Sequence, residues 1–117
     1  MKAKREYLDY ARDILDAAEK AQRFVAGIGL NAFQADDEKV FAVTRALEII
    51  GEASKKIPAS IRKQYPEIPW AVMAGMRDKL AHDYFGVNLR RLWETVQNDL
   101  PPLRTAITRL IADLEKK

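Results

Sequence analysis

Apolar residues at Tyr7, Leu8, Ala11, Ile14, Leu15, Ala18, Ala21 and Val25 recur at intervals of three and four, the spacing that gathers side chains on one face of an α-helix. The pattern predicts a first amphipathic helix from about Lys4 to Ala26, ended by Gly27 and Gly29. After a short connection containing Asn31, the residues Val40, Val43, Leu47, Ile50 and Ser54 carry a second helix to Ile57. Asp36, Asp37 and Glu38 lie where a helix N-terminus favours negative charge, and Pro58 marks the far end. Residues 60–65 predict a short helical turn closed by Pro66. Pro69 suits the first position of a third helix, whose buried side draws on Trp70, Val72, Met73, Met76 and Leu80. Gly86 is a stop signal, and Asn88 an N-cap for a fourth helix with Leu89, Leu92, Trp93, Val96 and Leu100 on one stripe. Pro101-Pro102 predicts a break or kink before a last helix carrying Leu103, Ile107, Leu110, Ile111 and Leu114. No segment sustains the alternation of a strand, so the expected fold is all-α: an antiparallel up-and-down bundle with one extra short helix.

A chain of 117 residues can bury one core, and residues 1–117 are expected to form one domain. No internal repeat, low-complexity tract or linker divides them. The absence of cysteine removes disulfides, thiolate metal sites and cysteine nucleophiles together. A single histidine argues against a histidine-rich zinc site, so neither a metal nor a cofactor is expected. The charged start, Met1-Lys2-Ala3-Lys4-Arg5-Glu6, leads into no apolar signal region, and no apolar run approaches bilayer length. The expectation is a soluble, cytoplasmic protein with no membrane partner. Twenty Lys and Arg against 17 Asp and Glu give a net charge of +3, compatible with a nucleic-acid partner. No basic tail or repeated basic block is present, so attraction for RNA must come from a patch assembled by folding.

The densest polar constellation is Met76-Arg77-Asp78-Lys79-Leu80-Ala81-His82-Asp83-Tyr84-Phe85, which holds the only histidine. Histidine titrates near neutral pH, and arginine is the usual fixed cation for a phosphate, so the pair reads as proton transfer beside an anion. Each residue also has a plain structural reading. His82 could be a surface or capping residue, Asp78 an ordinary helix pair with it, Arg77 a surface ion pair, and Tyr84 a ring packed with its hydroxyl at the rim. Trp70, Phe85 and Trp93 read mainly as core or subunit-contact residues, with base stacking the lesser alternative. On a regular helix Arg77 and Tyr84 lie within roughly 20° of each other, whereas Arg77 and His82 point roughly 140° apart. Convergence of arginine and histidine therefore requires either that the helix ends near Ala81 or that two copies of the chain share one cleft.

The pattern Arg77-x4-His82-x-Tyr84 resembles the signature of the HEPN superfamily, and within it the HepT-like toxins with their Arg-x(4-6)-His-x-Tyr motif. Three further passages are similar to that family in the same order: residues 45–53 (RALEIIGEA), 65–70 (YPEIPW) and 80–87 (LAHDYFGV). The resemblance spans nearly the whole chain. It implies an all-α homodimer acting as the toxin of a toxin-antitoxin pair, with metal-independent RNA cleavage as its activity. Cleavage through the RNA 2′-hydroxyl needs both a base and an acid, and two chains across a twofold axis supply two histidines. In that scheme His82 is the general acid/base, Arg77 stabilises charge in the transition state, and Asp78 holds the imidazole. The implied partner is a small nucleotidyltransferase antitoxin that transfers AMP to Tyr84, blocking the cleft by charge and bulk. Lys79, Arg90 and Arg91 are the expected basic approach for RNA, set against a reading as ordinary solvated charges. Two other classes remain open: a non-catalytic nucleotide- or RNA-binding subunit of a nucleotidyltransferase complex, and a purely structural helical dimer.

Overall fold

In the computed structural model the backbone is described for residues 2–75 and 88–116, and side chains from Glu6 onward within those ranges. The helices in chain order are α1 (Lys2–Phe24), α2 (Leu30–Gln34), α3 (Asp37–Lys55), α4 (Ala59–Arg62), α5 (residues 70–75), α6 (Leu89–Glu94) and α7 (Leu100–Lys116). A π-helical turn, Thr95–Asp99, joins α6 to α7 without interruption. The described residues contain no strand, and the all-α bundle of the expected kind is what the chain forms.

Three rods make the frame. Arg12 on α1 bonds Glu115 near the end of α7 at 2.7 Å, and Gln22 near the end of α1 accepts from Arg104 near the start of α7 at 2.7 Å. These crossed pairs make α1 and α7 antiparallel. Lys39 Nζ donates to the Phe24 carbonyl, and the Lys56 ammonium lies 5.4 Å from the Tyr10 ring, so α1 and α3 are antiparallel as well. A cation on the last carbonyls of α1 is where the helix dipole favours positive charge. The seam of α1 is built from Ala11, Ile14, Ala17, Ala18 and Ala21, all buried. Four of those five are alanine, which lets α1 lie close to both neighbours. Facing them are Val43, Ala46, Leu47, Ile50 and Ala53 of α3, and Leu100, Leu103, Ile107, Leu110 and Leu114 of α7.

Local chemistry sets the helix ends. Gly27 adopts φ +79°, a left-handed conformation that a side chain disfavours, directly after the turn that ends α1. Asp36 caps α3 by accepting from the Lys39 amide at 3.1 Å, with Asp37 and Glu38 in the first turn. Asn88 caps α6 in the same way, accepting from the Arg91 amide at 3.1 Å. Pro69 precedes α5, and its carbonyl accepts from the Met73 amide.

The structure departs from the expected pattern at four places. The connection containing Asn31 is itself helical, because α2 turns Phe33 fully into the core and against Trp93, ring centroids 5.6 Å apart. The short turn near Ser60 begins one residue earlier, at Ala59, with Pro58 in extended backbone before it. Val72, assigned to the buried side of the third helix, is 56% exposed, while Met73 is buried and Trp70 partly so. Finally, Pro101-Pro102 does not break the chain into two helices. A proline in a helix lacks its donor and crowds the carbonyl four residues back; the turn preceding the pair widens instead, with the Leu100 amide donating to the Thr95 carbonyl five residues away. That turn also preserves the core stripe. Over the eight residues from Leu92 to Leu100 a regular α-helix would drift by about 80°, yet Leu92, Val96 and Leu100 are all buried.

Candidate functional site

The polar constellation singled out in the sequence lies outside the described residues: Arg77, Asp78, Lys79, His82 and Tyr84, together with Met76, Leu80 and Phe85. What the structure defines is the frame on either side of it. The chain enters from α5, whose Met73 is buried in the core, and leaves at Asn88, whose side chain caps α6.

Of the expected RNA-binding residues, Arg90 and Arg91 are described. Both are exposed in the first turn of α6, and neither is ion-paired among the described residues. Arg91 lines a shallow polar groove with Asn88, Glu94, Thr95, Asn98 and Asp99. Two carboxylates in that groove oppose a phosphate there, which leaves Arg90 the better placed of the two for a nucleic-acid backbone. Among the described residues no three carboxylate or imidazole groups converge as metal ligands.

The most developed polar cluster on the approach to the motif was not apparent from the sequence. Tyr65 is 5% exposed, and its hydroxyl donates to Asp113 Oδ2 of α7 at 2.6 Å. One helical turn earlier on the same face of α7, Arg109 lies with its guanidinium carbon 5.0 Å from the Tyr65 ring centre and forms an ion pair with Glu67. The Tyr65 carbonyl accepts twice, from the Ile68 amide at 3.1 Å and from the Trp70 indole Nε1 at 3.0 Å. Burial pushes the Tyr65 phenol up to about 12, assisted by the bond to Asp113 and by the Asp113 charge, with Arg109 acting in the opposite direction. The group is therefore a fixed hydrogen-bond donor at neutral pH and not a base. Tyr65 and Asp113 are 48 residues apart, so no local spacing could have paired them; the only signal was an aromatic residue with a hydroxyl inside an otherwise turn-forming passage.

The Trp70 indole makes its hydrogen bond inside the protein, and Trp93 packs on Phe33. Both thus have the packing roles expected of them.

Comparison with known proteins agrees with this frame. The family described as Ribonuclease HepT-like matches residues 14–110, a stretch that includes all three framing helices and the motif. The chain is 50% identical over 107 residues to "Probable ribonuclease HepT" of Thermococcus cleftensis, covering 92% of this chain and 97% of the relative. It is 41% identical over 114 residues to "Putative RNase MJ0125" of Methanocaldococcus jannaschii, covering 97% and 98%. A third relative, "Putative RNase TTE0752" of Caldanaerobacter subterraneus, is 41% identical over 111 residues, covering 95% and 96%. No solved structure matches the chain significantly. With a family match over most of its length and full-length relatives at such identity, the chain belongs to the HepT-like ribonuclease family.

Proposed function

We propose that this protein is a metal-independent endoribonuclease and the toxin of a toxin-antitoxin pair, using the Arg77-x4-His82-x-Tyr84 motif across a cleft between two copies of the chain. The observation that carries the reading is the family match over residues 14–110, supported by a relative named as a ribonuclease at 50% identity over almost its whole length. The motif residues fall inside the matched stretch.

The chemistry follows from RNA itself. A neutral His82 takes the proton of the 2′-hydroxyl as its oxygen attacks the adjacent phosphorus, and a protonated His82 of the second copy gives a proton to the departing 5′-oxygen. The products are a 2′,3′-cyclic phosphate and a 5′-hydroxyl. Arg77 binds the non-bridging oxygens, on which charge grows as the phosphorane-like transition state forms. Asp78 accepts a hydrogen bond from the imidazole and raises its basicity. Tyr84 is the regulatory position: AMP transferred to it by a nucleotidyltransferase antitoxin puts negative charge and bulk where the scissile phosphate must sit. Lys79, Arg90 and Arg91 supply the basic approach, with Arg90 contributing more than Arg91.

The test is cleavage of a labelled mixed-sequence RNA in EDTA by purified protein whose intact mass excludes adenylation, beside His82→Ala. Loss of cleavage with retained RNA affinity in the variant is the expected result. An intact RNA with verified unmodified, dimeric protein would instead favour the non-catalytic binding subunit.

A further inference from the structure

We infer that Tyr65 and Asp113 form a latch that sets the position of the motif segment, making both of them positioning residues for Arg77 and His82.

The argument begins with what hydrophobic burial cannot do. Between α3 and α5 the chain is held on the core by Ile57, Ile68 and Met73, all buried. Burial of that kind is non-directional and holds the segment down without fixing where it lies along α7. Direction comes from the polar contacts. A single turn of α7 grips residues 65–67 at three points: Asp113 on the Tyr65 hydroxyl, the Arg109 guanidinium on the Tyr65 ring, and Arg109 on Glu67. The gripped residue then reaches forward, since its carbonyl accepts from the Ile68 amide and from the indole of Trp70, the first residue of α5. Trp70 is thereby referred to α7 through two hydrogen bonds and one aromatic ring. The same chain reaches Arg77 seven residues later and His82 twelve residues later. The hydroxyl of Tyr65 is also close to the most expensive kind of group to leave unpaired, being buried and fixed, so an off-register placement of the segment is penalised.

A bond that merely stabilised the fold would leave the environment of His82 unchanged, and this chain makes the distinction measurable because His82 is its only histidine. Its imidazole Cε1 proton gives one unambiguous resonance, whose shift and titration midpoint report the groups around it. The experiment records that titration in the full-length protein for the wild type, Tyr65→Phe, Asp113→Ala, the double variant and Asp113→Asn. Steady-state RNA cleavage and thermal unfolding are measured on the same samples. The expected result is a titration displaced alike in Tyr65→Phe and Asp113→Ala and no further in the double variant, since both remove one bond. Asp113→Asn, which keeps an acceptor oxygen, stays near the wild type. In the displaced variants kcat falls roughly ten- to hundredfold with KM held within about twofold, the loss expected when reacting groups are misplaced and binding is not. Should Tyr65→Phe fail to fold, Asp113→Ala keeps the tyrosine ring in place and answers the same question.

Titrations that superimpose on the wild type in Tyr65→Phe and Asp113→Ala, with only the melting temperature lowered, would overturn the latch. The inference rests on the ribonuclease reading only for what the positioned residues do. A displaced titration in a protein that leaves RNA intact would remove that reading and keep the latch; an active wild type with superimposed titrations would do the reverse.

Discussion

The chemistry of this protein turns on single side chains whose neighbours decide what they can do. Tyr65 shows the effect most directly. Its phenol is pushed up to about 12 by burial and by Asp113, so the neutral form is favoured in the folded protein relative to the ordinary value of 10. A folded-state value raised in this direction contributes stability that is fully present below pH 10 and is lost as pH rises through about 12. Urea unfolding between pH 8 and 12 should therefore show a decline in stability across the upper half of that window, reduced in Tyr65→Phe. At neutral pH the same substitution should cost about 1–2 kcal/mol, because Asp113 loses its donor. Gly27 offers a contrasting case. An added Cβ there meets no atom within 4 Å, so the whole penalty of Gly27→Ala is the backbone conformation at φ +79°. A loss of about 1–2 kcal/mol in thermal or denaturant unfolding is expected, and an unchanged stability would show that the turn after α1 relaxes at no cost.

At the scale of elements, caps and turns place the helices that flank the motif. Asn88 stands immediately after residues 76–87 and satisfies the Arg91 amide at the start of α6. Asn88→Ala should lower stability by about 1 kcal/mol, measured by denaturant titration, and Asn88→Ser should recover most of it. The π turn at Thr95–Asp99 does a different job: it lets one helix carry Pro101-Pro102 and keeps Leu92, Val96 and Leu100 on the core side. Helix existence was legible in the sequence nearly everywhere because a period of three and four in apolar residues is a local property. The first and second helices were placed to within about two residues at each end. The π turn was not legible, since a double proline is as consistent with a break as with a widened turn. Only the requirement that both halves of the stripe face α1 decides between them.

For the whole molecule, α1 is the central rod, with α3 and α7 antiparallel to it, and the buried residues form one cluster around its alanine-rich seam. Truncation at its middle should be the most damaging kind of change. Ile14→Ala removes a fully buried side chain and should cost about 2–5 kcal/mol, an amount comparable to a large share of a small domain's stability. At this scale the two-histidine mechanism makes its own demand. Sedimentation at micromolar concentration should find a dimer, and a monomer would sink the shared cleft, because one imidazole cannot serve as base and acid in the same step.

What the sequence determined by itself is whatever depends on near neighbours: the helical rhythm, the caps at Asp36 and Asn88, the left-handed stop at Gly27, and the motif order that pointed to the HepT-like family before any coordinates. Each is encoded within about one or two helical turns, so reading along the chain recovers it. What only the tertiary structure decided involves partners far apart in sequence. The grip of Asp113 and Arg109 on residues 65–67, the turning of Phe33 onto Trp93, and the exposure of Val72 all depend on which helix lies opposite. That choice is made by burial of the whole set of apolar faces together, a sum over distant residues that no single stretch of sequence carries.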